Sequence, residues 1–144
     1  MGQLKRSVAT LRIIGDDLDP AEISRWLGVS PTFSQKKGEL IVGRRTKRVA
    51  TIGIWSLRAT ELEPADVDAQ IKEILDRLPA DLSVWQYITG EYRIDLFCGW
   101  FLGNYNEGIS ISPESMIALG SRGILLDMDI YSSPEEDEEH SGNE

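Results

Sequence analysis

The chain has 144 residues and a mass of 16.1 kDa, with 41% apolar and 27% charged residues, the composition of one globular domain with a core of its own. The longest apolar run covers residues 96–102, far short of the roughly 20 residues a membrane-spanning helix needs. The net charge of −9 is unevenly placed: residues 132–144 hold Glu135, Glu136, Asp137, Glu138, Glu139 and Glu144 with no Lys or Arg, and the body, residues 1–131, is close to neutral.

The first residues lack an apolar leader, so the chain reads as cytoplasmic. Residues 7–14 alternate Ala9, Leu11 and Ile13 against Thr10 and Arg12, the period of a strand. Asp19-Pro20 with Glu22 is a cap, a proline at the first helical position and an acid in the first turn. A helix follows, with Ile23, Trp26 and Leu27 on one face and Gly28 as its stop. A loop passes Pro31 and leads to the basic run Lys36, Lys37, Arg44, Arg45, Lys47 and Arg48, opposed only by Glu39. Residues 39–42, bracketed by Gly38 and Gly43, read as a short strand running into a basic hairpin tip. A further strand at about residues 51–59 contains Trp55.

Val67, Ile71, Ile74, Leu75 and Leu78 mark the apolar stripe of a second helix. Pro64 opens that helix and Pro79 closes it, and its wet side is expected to carry the pairs Asp68 with Lys72 and Glu73 with Arg77. Residues 82–88 and 92–102, rich in aromatic and β-branched side chains and separated by Thr89-Gly90-Glu91, read as a hairpin. Residues 109–111 form a short strand. Ser112-Pro113 starts a third helix that Gly120 ends, and residues 123–131 are the last strand, with Asp127, Asp129 and Tyr131 on one face and Ile124, Leu126, Met128 and Ile130 on the other.

The expected fold is therefore α+β: a two-layer sandwich of a mainly antiparallel sheet with helices on one face. It has a ferredoxin-like β-α-β-β-α-β start and a β-(β)-α-β extension. Residues 1–131 form a single domain, and residues 132–144, which have no apolar residue to offset ordering, form a disordered acidic tail.

Few residues offer chemistry. The only histidine, His140, lies in the tail, and the only cysteine, Cys98, lies in an apolar strand, so catalytic triads, disulfides and thiolate metal sites lack their parts. Phosphate-binding glycine motifs are missing, and no cofactor is implied. Trp26, Trp55, Trp85 and Trp100 read as core. Asp127 and Asp129, two apart on one strand, place carboxylates about 6–7 Å apart, a spacing that could serve acid/base or cation chemistry with Asp95 as helper. It is equally the polar outer face of a half-solvated strand.

Leu18-Asp19-Pro20 with Ile23 and Leu27-Gly28, Pro31-Thr32, Lys37-Gly38, Trp55, residues 112–120 and Asp129-Ile130-Tyr131 together resemble the bacterial family termed domain of unknown function 4279, over about residues 7–131. The resemblance implies no activity, cofactor or catalytic residue. The residues themselves point to a non-enzymatic protein-binding domain of the immunity or inhibitor type, masking another protein such as a toxin or nuclease. Asp127, Asp129, Tyr131 and the acidic tail are its contacts. The alternatives are nucleic-acid binding through Lys36, Lys37, Arg44, Arg45, Lys47 and Arg48, and a metal or acid/base enzyme centred on Asp127 and Asp129.

Overall fold

The computed structural model describes residues 2–132. Its elements in chain order are β1 (Gly2–Gln3), β2 (Arg6–Gly15), α1 (Pro20–Leu27), β3 (Phe33–Gln35), β4 (Leu40–Val42), β5 (Lys47–Val49), β6 (Gly53–Arg58), α2 (Val67–Asp76), α3 (Leu82–Glu91), β7 (Arg93–Phe101), β8 (Glu107–Gly108), α4 (Pro113–Ser121) and β9 (Leu125–Tyr131). A five-stranded mixed sheet runs in the order β3-β6-β2-β7-β9. β2 is its centre, antiparallel to β6 and β7, while β9 lies parallel to β7 after the α4 crossover. The α+β, two-layer expectation holds.

Strand alternation sorts the side chains. Ser7, Ala9, Leu11 and Ile13 of β2 are buried and their intervening neighbours half-buried. Register carries this division to Trp55 and Leu57 of β6 and to Ile94, Leu96, Cys98 and Trp100 of β7. These residues join Ile23, Leu27, Ile71, Ile74, Trp85 and Ile88 of the helices in one core cluster. Three hydrogen bonds fasten helices to this face: Trp55 Nε1 donates to Ser24 Oγ (3.0 Å) on α1, Gln70 Nε2 of α2 donates to the Ser7 carbonyl (2.9 Å), and Ser7 Oγ donates to Gln70 Oε1. The other face bears no helix.

The N-terminal caps act as expected at α1 and α4, but α4 is not ended by Gly120: it runs on to Ser121, with Arg122 as its C-cap. Asp19 accepts from the Ala21 N–H, and Gly28, at φ 71°, closes α1 in the left-handed region where glycine is favoured. Ser112 accepts from the Ser115 N–H ahead of Pro113. Helix α2 is capped by Asp66 rather than opened at Pro64. Its expected i,i+4 pairs are replaced by longer contacts: Asp68 accepts from the Ser112 N–H and Ser115 Oγ at the start of α4, and Glu73 accepts from Thr60.

The main correction concerns residues 82–88. They are not a strand but the greater part of helix α3, so the β-α-β-β-α-β opening is broken at its last strand. Asp81 caps α3 by accepting from the Ser83 N–H, and Trp85 and Ile88, three residues apart, enter the core. Thr89 and Gly90 are the helix's last turn, not a hairpin turn. Similarly, residues 109–111 are not a strand; Glu107–Gly108 pairs instead with Gly2–Gln3. The loop expected past Pro31 contains β3, and β4 and β5 form the basic hairpin as a separate two-stranded sheet. Among the described residues no helix is long and apolar enough to cross a membrane.

Candidate functional site

The helix-free face of the sheet holds most of the residues picked out by sequence. Because directly opposed residues project to the same side, Arg12, Asp95 and Leu125 stand on this face, as do Phe97 with Asp127, Gly99 with Asp129, and Phe101 with Tyr131. Asp95 is fully buried, and Arg12 holds it bidentately, through Nε at 2.8 Å and Nη2 at 2.7 Å. That hydrogen-bonded carboxylate raises the guanidinium's already high pKa. Arg12 also covers the Phe97 ring at 4.5 Å, while Arg6 lies over Phe101 at 3.9 Å and Phe101 stacks on Tyr131 at 4.7 Å.

Asp95 and Asp127 thus come together, but through cations. Asp127 stands 3.9 Å from Arg12 and 3.7 Å from Arg93, so arginines already fill the space beside both carboxylates. Asp129 turns the other way and accepts from Tyr131 Oη at 2.7 Å, which pushes the phenol's pKa up. Among the described residues, no three His, Cys, Asp or Glu side chains converge on a cation position. The face's other arginines, Arg6 and Arg58, pair with Glu61. Arginines and acids therefore balance across this face, so it is no phosphate-attracting field.

Strand β9 differs from the rest of the sheet. It pairs only with β7, and its outer edge is bare among the described residues. The Leu102 N–H donates to the Tyr131 carbonyl. In a parallel pair both backbone groups of a residue point the same way, so residues 125, 127, 129 and 131 bond to β7. Leu126, Met128 and Ile130 then present their N–H and C=O groups outward. The expectation that Leu126, Met128 and Ile130 share a face is met, but only Leu126 is half-buried. Met128 and Ile130 are 47% and 58% exposed, because no helix covers the strand's second half. These two residues were not singled out by sequence, where a regular apolar alternation looks the same on a central strand and on an edge.

The basic residues collect elsewhere. Lys36, Lys37, Arg44, Arg45, Lys47 and Arg48 are all exposed on or beside the β4–β5 hairpin, at the β3 edge opposite β9. Arg48 donates to Gln35 Oε1 at 2.9 Å and ties down the hairpin's base, and Lys37 lies 3.7 Å from Asp16. Arg44, Arg45 and Lys47 have no carboxylate partner among the described residues. Leu40, Val42 and Val49 stand exposed on the same hairpin.

Three other features are settled internally. A groove of 480 Å³ between α2 and α4 has Asp68 on its wall, but hydrogen bonds from the Ser112 N–H and Ser115 already engage that carboxylate and lower its pKa. Cys98 is buried, and burial pushes its thiol up to about 12, the state of an inert core cysteine. Trp55, Trp85 and Trp100 are buried as expected, whereas Trp26 is half-buried and meets Tyr87 edge-on at 4.9 Å. The acidic tail beyond residue 132 and His140 lie outside the described residues.

Searches of curated proteins and of solved structures find no match. The profile of one family, described as Domain of unknown function (DUF4279), matches residues 3–133. That match takes in the whole five-stranded sheet, its helices and both candidate surfaces, and the chain belongs to the DUF4279 family.

Proposed function

We propose that this chain is a non-enzymatic protein-binding domain, of the immunity or inhibitor type, that docks another protein along the free edge of β9. One observation carries the reading. Among the described residues, a seven-residue edge strand offers an unpaired backbone while Leu125, Met128, Ile130 and Tyr131 stand 44–58% exposed along it. Sheet proteins normally blunt such edges by shortening or covering them, and an extended partner segment that adds a strand supplies the missing hydrogen bonds. The three contacts picked out by sequence, Asp127, Asp129 and Tyr131, all lie on this strand. A free buried thiol is in keeping with a reducing, cytoplasmic setting.

The test is a low-salt pulldown from nuclease-treated bacterial lysate, comparing the wild-type chain with Met128→Pro. The Met128 N–H points away from β7, so proline there removes an edge donor and spares the β7 ladder. A protein retained by the wild type and lost by the variant is the expected result. Identical captures by both chains would refute docking on this edge. A second reading has its own observation: the unpaired Arg44, Arg45 and Lys47 of the hairpin suit nucleic acid. Recovery that disappears with nuclease treatment and with Ala at these positions would favour it instead.

A further inference from the structure

We infer that the partner segment taken by β9 alternates Lys or Arg with apolar residues, and that Asp127 and Asp129 select it against acidic strands and against a second copy of this chain. The inference rests on the reading of β9 as a docking edge.

A strand added outside β9 places every second side chain on the helix-free face, directly opposite residues 125, 127, 129 and 131. Its alternate side chains fall on the other face beside Leu126, Met128 and Ile130. The first set meets two carboxylates flanked by Leu125 and Tyr131, and the second meets only apolar side chains. Opposite charges directly across a strand pair stabilise it and like charges destabilise it. The two aspartates are not equal. Arg12 and Arg93 stand within 4 Å of Asp127 and partly offset its charge, whereas Asp129 faces no cation among the described residues and holds only the Tyr131 hydroxyl. Asp129 is therefore the stronger selector.

The same carboxylates oppose self-pairing. A symmetric antiparallel pair of β9 strands must bring the outward residues Leu126, Met128 and Ile130 of both copies together. Every such register that pairs at least five of the seven β9 residues sets an aspartate opposite an aspartate: Asp127 opposite Asp127, Asp127 opposite Asp129, or Asp129 opposite Asp129. This is how charged side chains keep an open edge from pairing with itself. The other edge of the sheet, β3, is only three residues long and offers little to pair with.

The probes are two synthetic peptides, one alternating Lys and Val and one alternating Glu and Val, titrated into the full chain. Fluorescence anisotropy reads affinity, and amide hydrogen exchange reads Leu126, Met128 and Ile130. The Lys/Val peptide is expected to bind, to slow exchange at those three amides, and to bind equally well when residues 135–139 are changed to Gln or Asn. Asp129→Asn weakens it about two- to fivefold and Asp127→Asn less, while the Glu/Val peptide does not bind. The wild type sediments as a monomer. Equal affinity for both peptides, an unchanged affinity in Asp129→Asn, loss on tail neutralisation alone, or self-association through the edge would each overturn the inference. If both peptides bind equally and slow the three amides, docking on β9 stands and charge selection falls. If the amides do not respond, both fall.

Discussion

Replacing Arg12 by Met tests whether the helix-free face is held by a buried charge or merely decorated by one. Asp95 is fully buried and opposite Arg12 in the register. The substitution removes both of its short hydrogen bonds and leaves Arg93 at 3.6 Å as its nearest cation. Orphaning one member of a buried pair costs about 3–5 kcal/mol, and the lost stacking on Phe97 adds about 0.5–1 kcal/mol. Partial compensation by Arg93, itself largely exposed, returns some of this. The expected net loss is about 2.5–4.5 kcal/mol, a large share of the about 5–15 kcal/mol that holds a domain. Asp95→Leu should lose less, about 1–2 kcal/mol, because Arg12 keeps solvent contact and Asp127 at 3.9 Å. The double replacement should return to within about 1 kcal/mol of wild type, since a buried pair exchanged for apolar side chains is often neutral. Urea unfolding followed by tryptophan fluorescence gives all four values. The reasoning fails if Arg12→Met loses under about 1 kcal/mol, or if the double variant is no more stable than that single one.

Gly53→Ala should cost about 2–4 kcal/mol by thermal or urea unfolding, because a Cβ there would meet the Gly15 and Leu18 carbonyl oxygens at 2.8 Å, both backbone atoms. The Cys98 thiol, buried and pushed up to about 12, should react with a thiol reagent at pH 8 only as fast as the protein opens, so labelling should track unfolding in added urea. Asp68 has a folded pKa below its ordinary value, chiefly through the Ser112 N–H and then Ser115. It therefore stabilises the fold above the ordinary carboxylate range and loses that contribution as pH falls through its lowered value. Asp68→Asn should make the loss of stability below about pH 4 shallower, by under about 1 kcal/mol at this half-buried position, in an acid titration of melting temperature.

Legibility in the sequence followed the strength of each local signal. Strand β2 and helix α2 show clean periods because one face of each meets the core and the other meets water. The cap-and-proline pairs at Asp19-Pro20 and Ser112-Pro113 placed α1 and α4 almost to the residue. Helix α3 was misread because Val84, Trp85, Tyr87 and Ile88 are strand-favouring types and because its exposed side carries Leu82 and Tyr87, which erases the helical stripe. Two signals were there to find: Asp81 at a cap position two residues after Pro79, and Trp85 with Ile88 at helical spacing. Asp127, Asp129 and Tyr131 were legible as one face of a strand, whereas their place on an edge depends on which strand neighbours which. The Arg12–Asp95 pair joins residues 83 apart in the chain, and no local pattern reveals it.

The two edges of the sheet are built differently, and the difference bears on function. At the β3 edge the strand is three residues long, and the chain passes at once into the hairpin whose Arg48 clamps Gln35. At the β9 edge a strand of seven residues has, among the described residues, an open outer backbone and apolar side chains exposed on both faces. An edge of that kind invites unspecific pairing unless something restricts it. On the inference drawn above, two acids alternating with the outward backbone groups supply that restriction while leaving the hydrogen-bonding positions at Leu126, Met128 and Ile130 unobstructed. A purely solvating role would be served as well by acids at any exposed positions. In the proposed function, their confinement to the helix-free face of the longer of the sheet's two edge strands links Asp127 and Asp129 to recognition.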